Sequence, residues 1–343
     1  MKQRSPYIFA GQTIPPGGCA AIDLPMAKLY THTEVHLPVH IVHGQRSGPT
    51  LFVSAAIHGD EINGVEIIRR LLQHKSLQKL RGTLLAVPVV NPYGFISRSR
   101  YLPDRRDLNR SFPGSPKGSL ASRLAHLFME QIVSRADFAI DIHTGSNFRT
   151  NLPQIRACCS DTGTFDLAMA FGAPLVIDSD LRDGSLRAAV AERDVPILLY
   201  EAGEALYFNE VAIRTGVRGI INVMRTIGML PKQRSGRRLE PLLARSTSWV
   251  RASSSGVLNK KVGLGSQVRR GEVLGVISDP LGGEVAQVVA PTAGVVLGQL
   301  NLPLIYEGDA LFNLARIDGM EDDATLMDDH MSELTTDDFA LER

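Results

Sequence analysis

Between about residue 35 and residue 225, short apolar runs alternate with stretches of helical periodicity, and this alternation is the feature that most narrows the possible folds. Thr50–Ile57 (TLFVSAAI) has the pattern of a buried strand and ends in His58-Gly59. From Glu61 to His74, apolar Ile62, Val65, Ile67, Ile68, Leu71 and Leu72 recur at helical spacing. Gly82–Val90 (GTLLAVPVV) is a second strand pattern, closed by Asn91-Pro92. Leu120–Ile132 is amphipathic, Phe138–Ile142 is strand-like, and Leu167–Phe171 and Ser185–Arg193 are helical. Val195–Tyr200 (VPILLY) is a further strand and Glu210–Ile227 a final helix. Strands separated by helices predict an α/β fold, a mixed but largely parallel sheet with helices on both faces. Reactive side chains in such sheets gather where strands end. His58, Asn91, His143 and Glu201 each stand at or just past the end of an apolar run.

The pattern changes after Pro231. Lys232–Arg245 is basic and linker-like, and from Trp249 to Ile317 glycine and valine dominate with no convincing helix. The expected organisation is therefore an α/β domain over 1–240, whose first ~35 residues are peripheral strands, and a small all-β domain over 241–318. Residues 319–343 form an acidic tail with few aromatics, expected to be disordered. From Asp318 onward the charge is −9, against +10 for the rest of the chain. A basic body suits an anionic small substrate. No aromatic-interleaved basic stripe or nucleic-acid motif is present, so no nucleic-acid partner is expected.

The 343 residues are 44% hydrophobic and 21% charged, ordinary for a globular protein, and no apolar run approaches the ~20 residues of a membrane helix. Met1–Gly17 has no continuous apolar core, so no secretory leader and no membrane partner are expected. Three cysteines cannot build a disulfide framework, and the adjacent Cys158-Cys159 lack the spacer of a metal or redox pair. A cytoplasmic protein with incidental thiols is expected. Whether it forms a homo-oligomer stays open.

Chemistry concentrates in a few segments. In His58-Gly59-Asp60-Glu61 a strand-to-helix turn can aim an imidazole and a carboxylate at one point. A catalytic zinc takes three protein ligands and keeps a position open. His143, in Asp141-Ile142-His143-Thr144, is the candidate third ligand, presented from the same sheet edge. The competing possibility is two unrelated histidines among nine. Arg106–Gly114 (RDLNRSFPG) is a polar loop whose arginines and Asn109 are groups that recognise carboxylates. Glu201 directly follows an apolar strand, where a carboxylate can serve as general base.

The motifs HGDE, NPYGF, RRDLNRSFPG, DIHTG and YEAGE, in this order from about Thr50 to Ile227, resemble those of the succinylglutamate desuccinylase/aspartoacylase family, which is related to the zinc carboxypeptidases. The resemblance implies a zinc-carboxypeptidase-like sheet and one zinc per chain, held by His58, Glu61 and His143. It implies Glu201 as general base and acid, and Asn109 and Arg110 as binders of the substrate carboxylate. It also implies an arginine that polarises the scissile carbonyl. Arg100 matches by context, although its spacing to DLNR is two residues longer than in the aspartoacylase form, and Arg106 competes for the role. Asp141, two residues before His143, is either an acid supporting the metal ligand from behind or a purely structural one, and the structural reading is preferred.

The all-β region resembles the family's C-terminal barrel, akin to biotinyl/lipoyl domains (GEVLG at 271–275, APTAGVV at 290–296), but lacks a recognisable carrier lysine. Its implied task is to restrict access to the zinc cleft. Tyr306 is a candidate substrate contact, or else a barrel core aromatic. The implied activity is hydrolysis of the amide of a small anionic N-acyl amino acid. Alternatives are a carboxypeptidase acting on peptides or glutamyl-type tails, and a non-catalytic binding module.

Overall fold

The structure, a computed structural model, describes residues 4–232, 239–317 and 327–335. It opens with a hairpin of β1 (Tyr7–Phe9) and β2 (Gln12–Ile14), then the antiparallel pair β3 (Cys19–Lys28) and β4 (Glu34–His43). Alternating elements follow: β5 (Arg46–Ala55), α1 (Asn63–Gln73), β6 (Arg81–Val87), α2 (Pro92–Ser97), α3 (Leu120–Gln131), β7 (Phe138–Gly145) and β8 (Arg149–Ala157). The series closes with α4 (Thr162–Phe171), β9 (Leu175–Asp178), α5 (Leu186–Ala191), β10 (Ile197–Glu204) and α6 (Glu210–Thr226).

The remaining strands are β11 (Leu242–Arg251), β12 (Gly256–Lys260), β13 (Gln267–Val268), β14 (Val273–Ser278), β15 (Glu284–Val289), β16 (Gly294–Leu300), β17 (Leu304–Ile305) and β18 (Ala310–Ile317), followed by α7 (Asp328–Thr335).

One twelve-stranded sheet runs through the molecule in the order β3-β4-β6-β5-β7-β10-β8-β9-β11-β18-β16-β13. β6, β5, β7 and β10 are mutually parallel, β8 runs antiparallel to β10, and β9 and β11 are parallel to β8. The outer strands at both ends pair antiparallel, giving a mixed α/β fold.

Strand periodicity sorts the apolar residues between two cores. Leu51, Val53 and Ala55 face the core shared with α1, α4 and α6, whereas Phe52 between them faces α3 and α5. Phe52 meets Phe128 edge-on, ring centroids 5.6 Å apart. Burying each such side chain contributes about 1.5–3 kcal/mol. Among the described residues, no helix is long and apolar enough to cross a membrane.

Two expectations are corrected. The strands beyond residue 241 do not close into a barrel of their own. β11, β18, β16 and β13 extend the main sheet, and β16 also pairs with β8. Pairings β8–β9–β11–β18–β16–β8 therefore form a ring of five strands, two of them from the α/β region. A second, four-stranded sheet (β15-β14-β12-β17) packs over it around Leu258, Leu274, Ile277, Leu311 and Phe312. Nor is the acidic tail featureless where it is described. α7 sits on the body through buried Met327 and Leu334 and the Arg218–Glu333 ion pair of 2.9 Å. Local composition signalled disorder, but the three apolar side chains at 327–334 pack against the body. The other tail positions, and 233–238 of the linker, lie outside the described residues.

Candidate metal centre and arginine-lined cleft

The loop carrying His58 is shaped by backbone constraints just after β5. Ala56 adopts a left-handed φ of 52°, and the Ala55 and Ala56 carbonyls accept from Val90 and Asn91 N–H, each at 3.0 Å. Asn91 donates to the Ile57 carbonyl (3.3 Å) and caps α2 by accepting from Gly94 N–H (2.9 Å). Gly59 lies backbone-to-backbone on Gly94, where a Cβ would come within 1.8 Å of the Gly94 carbonyl carbon. Thus Asn91 braces the histidine loop and does not itself line the cleft.

His58, Glu61 and His143 converge: each offers a ligand atom within 4.8 Å of the others, and all three are buried. Glu61 stands in the turn before α1, not on the helix. Its Oε1 lies 2.8 Å from His58 Nδ1 and its Oε2 2.8 Å from His143 Nδ1. The opposite ring nitrogens are held by carboxylates: His58 Nε2 faces Asp107 Oδ1 at 3.1 Å and His143 Nε2 faces Asp141 Oδ2 at 2.8 Å. Asp141 Oδ1 in turn accepts from Ser54 Oγ at 2.7 Å.

This donor set fits a zinc ion. Two imidazoles and a carboxylate point inward, carboxylates orient both rings from behind, and buried His58 Nδ1 makes no hydrogen bond of its own. Burial pushes Glu61 up, yet the two imidazoles outweigh it and hold the carboxyl well below its usual range. Burial pulls His143 down, but Asp141 and Glu61 raise it well above an ordinary imidazole. Burial likewise opposes the charge of Asp107, and His58 with Arg100 more than reverses that.

The three lie on one side of a cleft of about 490 Å³ that Glu201, Asn109, Arg110 and Arg100 also line. Glu201 pairs in register with His143 on the neighbouring parallel strand, so both side chains emerge on the same sheet face. Glu201 Oε2 accepts from Asn151 Nδ2 (2.9 Å) and lies 3.4 Å from Arg156 Nε. Asn109 Oδ1 accepts from Leu186 N–H (2.9 Å), fixing the DLNR loop to the start of α5.

Of the two competing arginines, Arg100 is in the site. Its Nη1 is 3.2 Å from Glu61 Oε1, and its Nη2 is 3.0 Å from Asp107 Oδ2. Arg106 is not: its side chain is 62% exposed and reaches only Asp104, at 3.8 Å. Between Arg100 and DLNR the chain makes a turn at 102–106, whose Leu102 carbonyl accepts from Arg105 N–H and whose Arg106 carbonyl accepts from Leu102 N–H. Tyr306 does not line the cleft and is not a core aromatic; it sits 78% exposed in the turn between β17 and β18. Cys159 carries no reactive thiolate, because burial and nearby Asp178 push its thiol up to about 12.

Several lining residues escaped sequence reasoning. Residues 149–157 form β8 and supply Arg149, Asn151 and Arg156 to one wall. Strict alternation would put Arg156 on the other face from Arg149 and Asn151. A bulge opposite Glu201–Gly203 inserts one residue between Asn151 and Gln154 and brings all three inward. The loop before α5 adds Arg182 and the first turn of α5 adds Arg187; the latter is only 7% exposed, donates to Ser179 Oγ (3.1 Å) and the Asp180 carbonyl, and keeps Nη1 unpartnered. Burial, reinforced by Arg156, pulls the Arg187 guanidinium down. Thr247, Trp249 and Asn313 complete the cleft from the C-terminal strands. Only the charged character of RRDLNR, and not of these residues, could be picked out as a motif.

The chain is similar to known proteins in sequence and in fold. A model of the succinylglutamate desuccinylase/aspartoacylase catalytic domain matches residues 47–227. The chain is 27% identical over 297 residues to N-alpha-acetyl-L-2,4-diaminobutyric acid deacetylase of Halomonas elongata, covering 82% of this chain and 86% of that protein. The crystal structure of a succinylglutamate desuccinylase/aspartoacylase from Rhodobacter sphaeroides is similar with a TM-score of 0.77 and 26% identity, over 87% of this chain and 96% of that one. The product-bound structure of the ectoine utilization protein EutE (DoeB) from Ruegeria pomeroyi gives a TM-score of 0.79 at 25% identity, over 91% and 98%.

Proposed function

This chain belongs to the succinylglutamate desuccinylase/aspartoacylase family, and on that basis we propose that it is a zinc-dependent hydrolase cleaving the amide of an N-acylated amino acid. The observation behind this is that the His58–Glu61–His143 cluster and the carboxylate of Glu201 open onto one arginine-lined cleft. The deacetylase activity of the Halomonas relative on an N-acetylated amino acid supports the same chemistry.

His58, Glu61 and His143 would hold the zinc, which supplies Lewis acidity toward the amide carbonyl and toward a water. Glu201, held by Asn151 and Arg156, accepts a proton from the attacking water and returns it to the departing nitrogen. Arg100, clamped between Asp107 and Glu61, faces the cleft as a fixed cation able to stabilise a developing oxyanion. Asn109, Arg110 and the buried Arg187 form a wall suited to the substrate carboxylate, so that binding energy is converted into orientation. The C-terminal strands close the cleft through Thr247, Trp249 and Asn313.

The test is metal content by elemental analysis together with free-amine release from a panel of N-acyl amino acids and short peptides. Wild type and Glu201→Gln are run side by side. We expect about one zinc per chain in both proteins and a loss of turnover of roughly 10²–10⁴-fold in the variant. Cleavage of peptides alone would replace the deacylase with a carboxypeptidase. Absence of zinc from protein purified without chelator would leave only a binding role.

A further inference from the structure

Glu204 ends the YEAGE segment three residues after the candidate base, and the chemistry proposed for the cleft gives it no task. Glu201 pairs in register with His143 and Glu204 with Gly145, so β10 carries one extra residue between the two acids. Gly203 takes up that bulge at a left-handed φ of 72°, where a Cβ would fall 2.6 Å from Asn63 Nδ2. Both carboxylates then lean on the same stretch of β8. Glu201 Oε2 accepts from Asn151 Nδ2, and Glu204 Oε2 accepts from Thr150 Oγ1, each at 2.9 Å. Consecutive side chains of a strand point to opposite faces. Arg149 and Asn151 accordingly line the cleft, while Thr150 and Glu204 do not. One wall of the cleft is thus held from the front by Glu201 and from behind by Glu204.

The same stretch is where the C-terminal strands close against the α/β region. β16 meets β8 through the register pairs Gly298–Asn151, Gln299–Thr150 and Leu300–Arg149, a short ladder. Glu204 adds side-chain bonds to both of its strands, because Asn301 Nδ2, just past β16, donates to the same Oε2. Asn301 N–H donates in turn to the Phe148 carbonyl at 2.7 Å. Half-buried Lys260, at the end of β12, donates to the Leu300 carbonyl at 3.0 Å. Burial pulls its ammonium down and the charge of Glu204 opposes this. Hydrogen bonds to an ionised acceptor are shorter and stronger than neutral ones, so one carboxylate can hold two strands in register.

We infer that Glu204 is a positioning residue: by gripping Thr150 and Asn301 it fixes segment 149–151 of the cleft wall, and through Asn151 the carboxylate of Glu201. The kinetic part of this inference rests on the proposed hydrolase activity. A carboxylate that only supported the fold would act on turnover independently of Asn151. One that positions Asn151 acts in series with it and lowers turnover without weakening substrate or metal binding.

Glu204→Ala, Glu204→Gln and Thr150→Val are compared with wild type, each zinc-loaded, on the N-acyl amino acid that wild type turns over best. Glu204→Ala and Thr150→Val should lower kcat about 10-fold and change KM by less than about threefold, with zinc staying at about one per chain. Glutamine keeps an oxygen that accepts from Thr150 and Asn301, so Glu204→Gln should stay within about threefold of the wild-type kcat. In an Asn151→Ala background, Glu204→Ala should cost less than about twofold further. Multiplicative losses, an unchanged kcat in Glu204→Ala, or a loss that glutamine does not recover overturns the positioning role and leaves the hydrolase standing. Should Glu204→Ala not fold, Thr150→Val carries the same test. Amide hydrogen exchange across 149–151 needs no turnover: it should be about 10-fold faster in Glu204→Ala and Thr150→Val and near wild type in Glu204→Gln. If wild type hydrolyses no N-acyl amino acid, the hydrolase fails and exchange alone decides whether Glu204 holds this wall. Exchange unchanged by either substitution overturns that hold.

Discussion

Asn151 joins the C-terminal strands to Glu201: its Nδ2 donates to Glu201 Oε2 at 2.9 Å while its backbone pairs with Gly298 of β16. The β region beyond residue 241 is thus more than a cover over the cleft. It abuts the side chain that orients the candidate base. A Cβ on Gly298 would fall 2.7 Å from Asn151 Oδ1 and 3.5 Å from Asn313 Cβ.

Gly298→Ala should therefore move Asn151 without unfolding the sheet, because the crowded atom is the end of a side chain. We expect kcat to fall about 10-fold with KM and zinc content unchanged, since small displacements of a catalytic group are costly. Steady-state kinetics beside elemental analysis checks this. An unchanged kcat would mean that Asn151 does not position Glu201.

Asp141 is more than structural filling, because it holds His143 Nε2 from behind while Ser54 holds Asp141. Asp141→Asn should weaken zinc binding by about 10–100-fold, as for other groups that orient a metal-ligating histidine. Competition against a chromogenic chelator gives the affinity. Retention of wild-type affinity would place Asp141 outside the centre's function.

In the metal-free protein, Asp141 and Glu61 raise His143 well above its usual range despite burial, which favours the protonated ring. Zinc must displace that proton. Its affinity should rise with pH up to the elevated pKa of His143, and binding should release about one proton from this ring. Titration calorimetry in buffers of different ionisation enthalpy measures the release. Heats independent of buffer would show that the ring is neutral before zinc arrives.

Away from the cleft, Glu66 accepts from Arg69 Nε (2.6 Å) and Arg70 Nε (2.7 Å), which lowers its carboxyl to about 2. A carboxyl depressed on folding stabilises above its unfolded pKa of about 4.5, and that contribution disappears as pH falls toward about 2. Glu66→Gln should cost about 1 kcal/mol at pH 7, a figure kept small because Arg69 is half exposed to solvent. The difference from wild type should shrink between pH 4.5 and 2 in denaturant melts. A difference independent of pH would assign the effect to packing.

The sequence determined the α/β core and, through its motifs, pointed to the candidate metal cluster. Strand and helix periodicities are local properties, and ligands at the ends of parallel strands are brought to one edge by the sheet itself, so His58, Glu61, His143 and Glu201 were legible as a group.

Tertiary structure decided the rest. A bulge in β8, invisible to alternation, turned Arg149, Asn151 and Arg156 to the same side. Side-chain reach chose Arg100 over Arg106 and left Tyr306 in solvent. The pairing of β16 with β8 made the C-terminal strands part of the site. Each of these depends on contacts between segments far apart in the chain, whose register is set by packing the whole sheet and not by any local pattern.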